Sequence, residues 1–324
     1  SGKRDVAIMA HEAGRWIREQ GSTPFFVTIG FSDPHRAPVN FGNTQEWPEV
    51  PTVRYSPSEV AIPSHLPDLP GVREDLAEYY TSVSRLDAGV GLLLDELAAS
   101  GHEKDTLVIY LSDNGRPFPG AKDALYTEGI HLPLILRVPG QAKKGVRCRA
   151  MASWIDVGPT MLDWAGVSPP ADYRYALPGR SLLPIVSQSD PAGWDRIFAT
   201  HSFHEINQYY PVRAIRTRRY SYYLNLEPRL DFAISGDMEV SPSWKAIAST
   251  PGAKLGKRSV KSFLHRPAEE FYDLEKDPLE LTNLVGHSAH AAALADLKRQ
   301  LDSWRSATHD PWQKGVTDPF GHAH

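Results

Sequence analysis

The stretch DTLVIYLSDNGRPFPGAKDALYTEGIHLP, residues 105–133, decides how the chain is read. It opens on a short apolar, β-rich run, residues 107–111. The run breaks at Ser112-Asp113-Asn114-Gly115. A Pro/Gly loop follows and delivers one cation, Lys122. Glu128-Gly129 then marks a turn or short helix, and a second apolar run occupies residues 132–138. A short buried strand ending in adjacent oxygen-bearing side chains is how α/β enzymes build sites at the carboxyl ends of their strands. The fold class expected from this stretch is therefore α/β.

Upstream, residues 74–100 carry apolar side chains at i, i+3 and i+4, and Gly101 follows as a stop, which predicts a long helix. A helix followed by the strand at 107–111 fits a crossover onto a parallel sheet. Residues 37–72 are Pro-rich and aperiodic and read as a long surface loop. Before them, PFFVTIGF, residues 24–31, reads as a buried strand ended by Ser32-Asp33-Pro34-His35-Arg36. Such an end puts three polar groups where parallel sheets carry ligands, although Asp-Pro is also ordinary turn chemistry. Residues 5–20 have helical spacing and stop at Gly21.

Downstream, residues 132–138 predict a strand and 153–166 a helix, with Asp156 near its start suiting the helix dipole. Residues 169–184 read as a loop carrying Gly179-Arg180-Ser181. After about residue 190 the segments become aromatic and alternating, at 197–203, 212–223 and 269–274. They predict antiparallel strands of a smaller α+β part. Residues 288–306 predict a last helix, followed by a polar tail. The expected organisation is a mixed, mainly parallel sheet between helices over residues 1–190, then a smaller antiparallel α+β subdomain over 191–324.

Charge sets bounds on function. The 35 basic and 39 acidic residues give a net charge of −4, which argues against nucleic acid as a partner but leaves room for a local basic pocket. The tract Arg213, Arg216, Arg218, Arg219 is expected to be an exposed strand face. No apolar run is long enough to span a bilayer, so no membrane partner is expected. The single cysteine, Cys148, allows no disulfide within the chain. Nothing in the residues specifies an oligomeric state.

Two sets of residues carry candidate chemistry. Asp113 and Asn114 are hard oxygen donors of the kind Ca²⁺ takes, with Mg²⁺ as the alternative. Lys122 is a compact point charge able to neutralise a bound anion. D-N-G alone is a common turn; its combination with the Asp33/His35 strand end and the FPGAK loop points to a site. In HSFHE, residues 201–205, His204 and Glu205 fit substrate contact better than zinc, which would need a third partner at a sensible spacing.

The strings PFFVTIGFSDPHR, DTLVIYLSDNG, FPGAKDALYTEGIHLPLILRVPG, GRSLLP and FYDLEKDPLELTNL, in this order, resemble the sulfatase family of the alkaline phosphatase superfamily. DPHR, SDNGRPFPGAK, HSFHE with YPVR, LNLEPRLDF and THDPW are most similar to its heparan N-sulfatase (sulfamidase) branch. The resemblance implies a sulfuric ester or sulfamate hydrolase whose partner is a sulfated saccharide, N-sulfoglucosamine first. It implies that Asp113 and Asn114 are calcium ligands, that Lys122 binds the sulfate, and that His35 contacts sulfate or the leaving group. Asp33 would face the substrate, and His204 and Glu205 would shape the sugar pocket.

The resemblance also implies parts that the sequence does not contain. Sulfatases carry an N-terminal Asp-Asp pair and a C-x-P-S-R-type motif whose cysteine or serine becomes formylglycine, the nucleophile. Cys148 is followed by Arg-Ala-Met and does not match. The expectation is that formylglycine belongs to a segment upstream of Ser1, that residues 1–190 are the C-terminal part of the catalytic α/β domain, and that this chain alone is inactive. Periplasmic or secreted placement is expected for a bacterial source and lysosomal placement for an animal one. Two rivals stand beside this reading: a phosphodiesterase or phosphonate hydrolase of the same superfamily, and a non-catalytic sulfated-sugar-binding pseudo-enzyme.

Overall fold

The structure is a computed structural model and describes residues 4–168, 177–205 and 208–314. Residues 169–176 of the loop expected at 169–184 and residues 315–324 of the polar tail lie outside the described residues. In chain order the elements are α1 (Val6–Gln20), α2 (Pro70–Ala99), β1 (Val108–Leu111), α3 (Thr127–Ile130), β2 (Leu134–Arg137) and α4 (Val157–Ala165). They continue with β3 (Arg196–Phe203), β4 (Tyr209–Thr217), β5 (Tyr220–Asn225), α5 (Gly236–Glu239), α6 (Pro242–Ser249), β6 (Lys254–Leu255) and β7 (Arg258–Ser259). The last are α7 (Val260–Leu264), β8 (Glu269–Asp273) and α8 (Ala291–Ala307). The chain is thus a mixed α/β protein with a C-terminal antiparallel sheet.

Two compact units form, and both are discontinuous in sequence. The first holds Ser1–Thr106, Asp113–Leu132 and Ile234–Phe263; the second holds Leu107–Ser112, Pro133–Ala233 and Leu264–His324. This division differs from the expected cut after residue 190, because each unit takes segments from both sides of it.

In the first unit, α1 begins where the Asp5 carboxylate accepts the free N–H groups of Ala7 and Ile8, at 3.1 and 3.0 Å. It ends at Gly21, whose φ of 59° stops the helix. α2 starts earlier than its periodicity predicts, because Pro70 needs no intrahelical donor in the first turn. The two helices pack through Val6 and Ala7, with Ala88, Leu92, Phe31, Trp47 and Val50 around them. Gly89 makes this approach possible: a Cβ there would run into the Val6 side chain.

Residues 24–31 correct the sequence reading. They are extended and alternate between half-buried and exposed, but form no ladder with any described strand. Phe25 packs edge-on against Trp16 and His102, which belong to helical segments and offer no free sheet edge, while Phe26 is 70% exposed.

In the second unit, β1 pairs with β2, with Val108 opposite Arg137. Every ladder among the described residues is antiparallel, so the parallel pairing expected from the helix–strand order is not formed within them. The larger sheet has the order β3-β4-β5-β8. The expected segment 212–223 is in fact a hairpin, β4 turning into β5 at Arg218-Arg219. One face of this sheet, through Ile215, Tyr222 and Phe271, packs on Leu297 and Leu301 of α8. The arginine tract is not a bare exposed face either. Arg213 pairs with Asp310, Arg216 with Glu280, Arg218 with Asp190 and Asp195, and Arg219 with Asp273.

Candidate active site

The loop that carries Lys122 is built by close backbone approach. A Cβ on Gly115 would meet the Glu128 carbonyl and Gly129, and one on Gly129 would meet the carbonyls of Ala121 and Ala124. The two glycines of D-N-G and E-G therefore press the start and end of the stretch together. The loop also closes on itself: Lys122 N donates to the Arg116 carbonyl and Ala121 N to the Phe118 carbonyl, both at 3.0 Å. Lys122 leaves this loop with only 5% of its side chain exposed. Its Nζ donates to Asp237 Oδ2 at 2.8 Å and lies 3.4 Å from His35 Nε2.

His35 is oriented by its own backbone. Nδ1 stands 2.8 Å from the Arg36 carbonyl, which can only accept, so Nδ1 carries the hydrogen. Nε2 then faces Lys122 as a lone pair when the ring is neutral, or Asp237 Oδ2 at 3.7 Å as an N–H when it is charged. The side chain is 58% exposed, so this face of the cluster is open. Burial works to raise the Asp237 carboxyl, but the hydrogen bond from Lys122 and the charges of Lys122 and His35 bring it below its ordinary value. Asp237 is therefore a carboxylate between two potential cations.

A buried guanidinium ties the three supporting segments together. Arg36 forks onto Asp75 at 2.7 and 2.6 Å and donates to the Pro117 carbonyl at 2.8 Å. Asp75 Oδ2 in turn accepts the Ser243 N–H at 3.3 Å. Arg36 adjoins His35, Pro117 lies in the Lys122 loop, and Ser243 begins the helix that follows Asp237. A bidentate Arg–carboxylate pair has the fixed geometry such a junction needs.

Asp33 is corrected. It does not face open space: its side chain is fully buried and enclosed by Arg85 (2.6 and 2.8 Å), Arg4 (2.8 Å) and Ser82 (3.0 Å). A carboxylate taken out of water needs such partners, and they use its oxygens up. Asp33 braces the segment that carries His35.

Asp113 is exposed and Asn114 half-buried, in the same unit as Lys122, and Asn114 N donates to Asp113 Oδ1 at 2.9 Å. Their oxygens suit a hard cation in kind, but Ca²⁺ takes 6–8 such ligands. Among the described residues no group of three or more His, Cys, Asp or Glu side chains could hold a metal. Two oxygens could supply only part of such a coordination sphere and would not close one. His204 and Glu205 belong to the second unit and are exposed beyond the end of β3.

The sequence reading missed Asp237, which lies 115 positions from Lys122 and has no local pattern to announce it. Its one signal is position: it follows the LNLEPRLDF string by a few residues. It also missed His65, beside the Lys122 loop at Gly120. His65 is 7% exposed, and neither ring nitrogen has a hydrogen-bond partner among the described residues. Burial lowers it to about 4, with Arg116 and Arg258 acting in the same direction and Glu128 against.

Comparison with known proteins adds a frame to this geometry. The family model described as Sulfatase matches residues 2–167, and one described as N-sulphoglucosamine sulphohydrolase, C-terminal, matches residues 121–230. N-sulphoglucosamine sulphohydrolase of Homo sapiens is 35% identical over 92% of this chain and 64% of its own length. An ulvan-active sulfatase of Formosa agariphila is 24% identical over 91% of this chain and 54% of its own length. The chain thus spans less than two thirds of either relative. Among solved structures, a putative sulfatase from Bacteroides thetaiotaomicron matches 99% of this chain and 68% of its own with a TM-score of 0.64 at 18% identity. A protein solved in complex with its substrate D-glucosamine-2-N,6-O-disulfate matches 76% of this chain and 44% of its own with a TM-score of 0.53 at 21% identity. Both structural likenesses concern the fold. No helix among the described residues is long and apolar enough to cross a membrane.

Proposed function

The chain belongs to the sulfatase family, and from that premise we propose that it serves the hydrolysis of a sulfamate or sulfate ester on a glycosaminoglycan-type sugar, N-sulfoglucosamine first. The observation that carries this reading is the meeting of Lys122 and His35, 87 positions apart, in a half-open cluster. The sulfate group is an anion, so attack at sulfur requires its charge to be met. The Lys122 ammonium, held by its loop and lacking freedom to swing away, supplies fixed positive charge for the sulfonate oxygens. The His35 ring, with its Nδ1 hydrogen committed to the Arg36 carbonyl, presents Nε2 as the atom that holds a proton for the departing amine or alcohol. Arg36 and Asp75 keep these two groups in register.

Asp113 and Asn114 belong in this proposal as contributors of two oxygens to a Ca²⁺ or Mg²⁺ site, an ion that when bound supplies further positive charge at the sulfate. His204 and Glu205 are proposed to contact the sugar. No nucleophile is assigned, since the 324-residue sequence contains no C-x-P-S-R-type motif. The chain by itself is therefore expected to bind a sulfated sugar with little turnover.

The test is a titration of the chain with N-sulfoglucosamine in calcium-containing buffer, with an assay on N-sulfoglucosamine, an aryl sulfate and an aryl phosphodiester beside it. Saturable binding that Lys122→Ala weakens at least tenfold supports the reading. Binding untouched by that change overturns the assignment of Lys122. Robust turnover of either sulfate overturns the expected inactivity, and turnover of the phosphodiester alone moves the chain to phosphoryl chemistry.

A further inference from the structure

We infer that Asp237 reads the atom bridging sugar and sulfur, accepting a hydrogen bond from the N–H of a sulfamate, and so favours N-sulfated over O-sulfated sugars. This rests on the sulfated-sugar reading above and names its specificity.

The argument starts from a carboxylate in an unexpected place. Asp237 Oδ2 lies 2.8 Å from Lys122 Nζ and 3.7 Å from His35 Nε2, so it shares the spot where an anion would be held. Its side chain keeps 20% of its surface exposed, against none for Asp33; Oδ1 is buried and unbonded among the described residues, so a ligand contact falls to Oδ2, the oxygen on the side of Lys122 and His35. A sealed carboxylate is a brace; a half-open one can meet a ligand. The hydrogen bond and charge of Lys122 favour its ionised form.

An ionised carboxylate only accepts hydrogen bonds. It is repelled by the oxygens of a bound sulfonate, and it gains nothing from the bridging oxygen of an ester, which carries no hydrogen. The bridging nitrogen of a sulfamate does carry one. A substrate that turns its N–H towards Asp237 converts a repulsive neighbour into a charge-assisted hydrogen bond. The products follow the same logic. In R–NH–SO₃⁻ + H₂O → R–NH₃⁺ + SO₄²⁻ the S–N bond breaks, the water oxygen joins sulfur, and nitrogen takes up both water protons. The ammonium so formed faces a carboxylate, while an alcohol released from an ester gains no such partner. A site that must hydrogen-bond one ligand leaves a polar group unmatched when the analogue lacks the hydrogen, and this is how polar sites discriminate strongly.

The experiment compares two sugars that differ at one atom, N-sulfoglucosamine and glucose 2-sulfate, titrated into the full chain in calcium-containing buffer. The wild type is expected to prefer the sulfamate about tenfold or more, the size of one charge-assisted hydrogen bond. In Asp237→Ala the ratio is expected to fall to about one, with ester affinity equal or higher because a negative charge has gone. Asp237→Asn, which keeps shape and a carbonyl acceptor, is expected to retain only a small preference, and it stands in if the alanine variant does not fold. Equal affinities in the wild type, or a ratio that survives both substitutions, overturn the inference while leaving the sulfated-sugar reading intact. Failure of both sugars to bind overturns that reading and the inference together.

Discussion

Asp33 and Asp237 are both aspartates beside cations in the first unit, and they do opposite things. Asp33 is closed in by Arg85, Arg4 and Ser82 with no exposed side-chain surface. Asp237 has Lys122 on one side, the largely exposed His35 ring on another, and a fifth of its own surface open. The first satisfies its charge entirely within the protein. The second has a neighbour it holds and a face left over. Residue type and nearby charge do not separate a brace from a ligand-reading group; the fraction of the carboxylate left open does.

The largest expected effect tests the closed member. Asp33→Ala strands two arginines, and Arg85 is itself 6% exposed. Removing one partner of a buried, hydrogen-bonded pair costs about 3–5 kcal/mol, since the other charge stays buried without compensation. Urea unfolding of the purified chain should register this as a lower midpoint with little change in slope. A loss under about 1 kcal/mol would make Asp33 no brace and return it to the list of residues free to meet substrate.

The two histidines repeat the contrast. His35 is mostly exposed and hydrogen-bonded at Nδ1, while His65 is buried, with neither nitrogen bonded among the described residues. Burial holds His65 at about 4, against an ordinary 6.5, with Glu128, Arg116 and Arg258 the charges that face it. A folded-state value below the unfolded one means that the unfolded chain binds the proton more tightly. Stability is then undiminished above pH 6.5 and falls as pH drops towards 4, by up to about 3 kcal/mol. The check is the stability of wild type minus that of His65→Leu at pH 7.5 and 4.5. That difference should move in favour of the variant in acid by most of this amount. No movement would mean that His65 is protonated in place and bonded to Glu128.

These pairs also mark how far the sequence could be read. The long helix, the D-N-G turn, the Lys122 loop and the C-terminal antiparallel strands were legible because each is fixed by local spacing or by turn chemistry. The His35–Lys122 approach was expected from the combination of two distant strings and from the resemblance they carry, not from any local pattern. Asp33 was misplaced because a strand-end aspartate looks the same whether it turns inward or outward; the decision belongs to Arg85, 52 positions away. Asp237 was invisible for the same reason in reverse. The strand expected at 24–31 shows a third limit. Apolar alternation specifies an extended segment with one face covered, whereas a ladder also needs a neighbouring backbone, which the pattern of one segment does not encode.

The smallest expected effect tests the open member, and its smallness is the point. Asp237→Asn keeps the shape and an acceptor for Lys122 but removes the charge. Because the pair is partly open, the loss should be about 1 kcal/mol at pH 7, well short of the cost at Asp33. The sign with pH is fixed by the direction of the shift. Asp237 sits below its ordinary 3.8 in the folded protein, so its stabilisation is present above that value and is lost as pH falls through the lower folded one. The gap between wild type and Asp237→Asn should therefore be visible at pH 7 and close in strong acid, and at pH 7 it should shrink with added salt as screening reaches the open face. A loss of 3 kcal/mol or more, insensitive to salt, would make Asp237 a second brace. The contrast with Asp33 would then be one of degree, and a carboxylate so fully engaged in holding Lys122 would have nothing left with which to read a sulfamate.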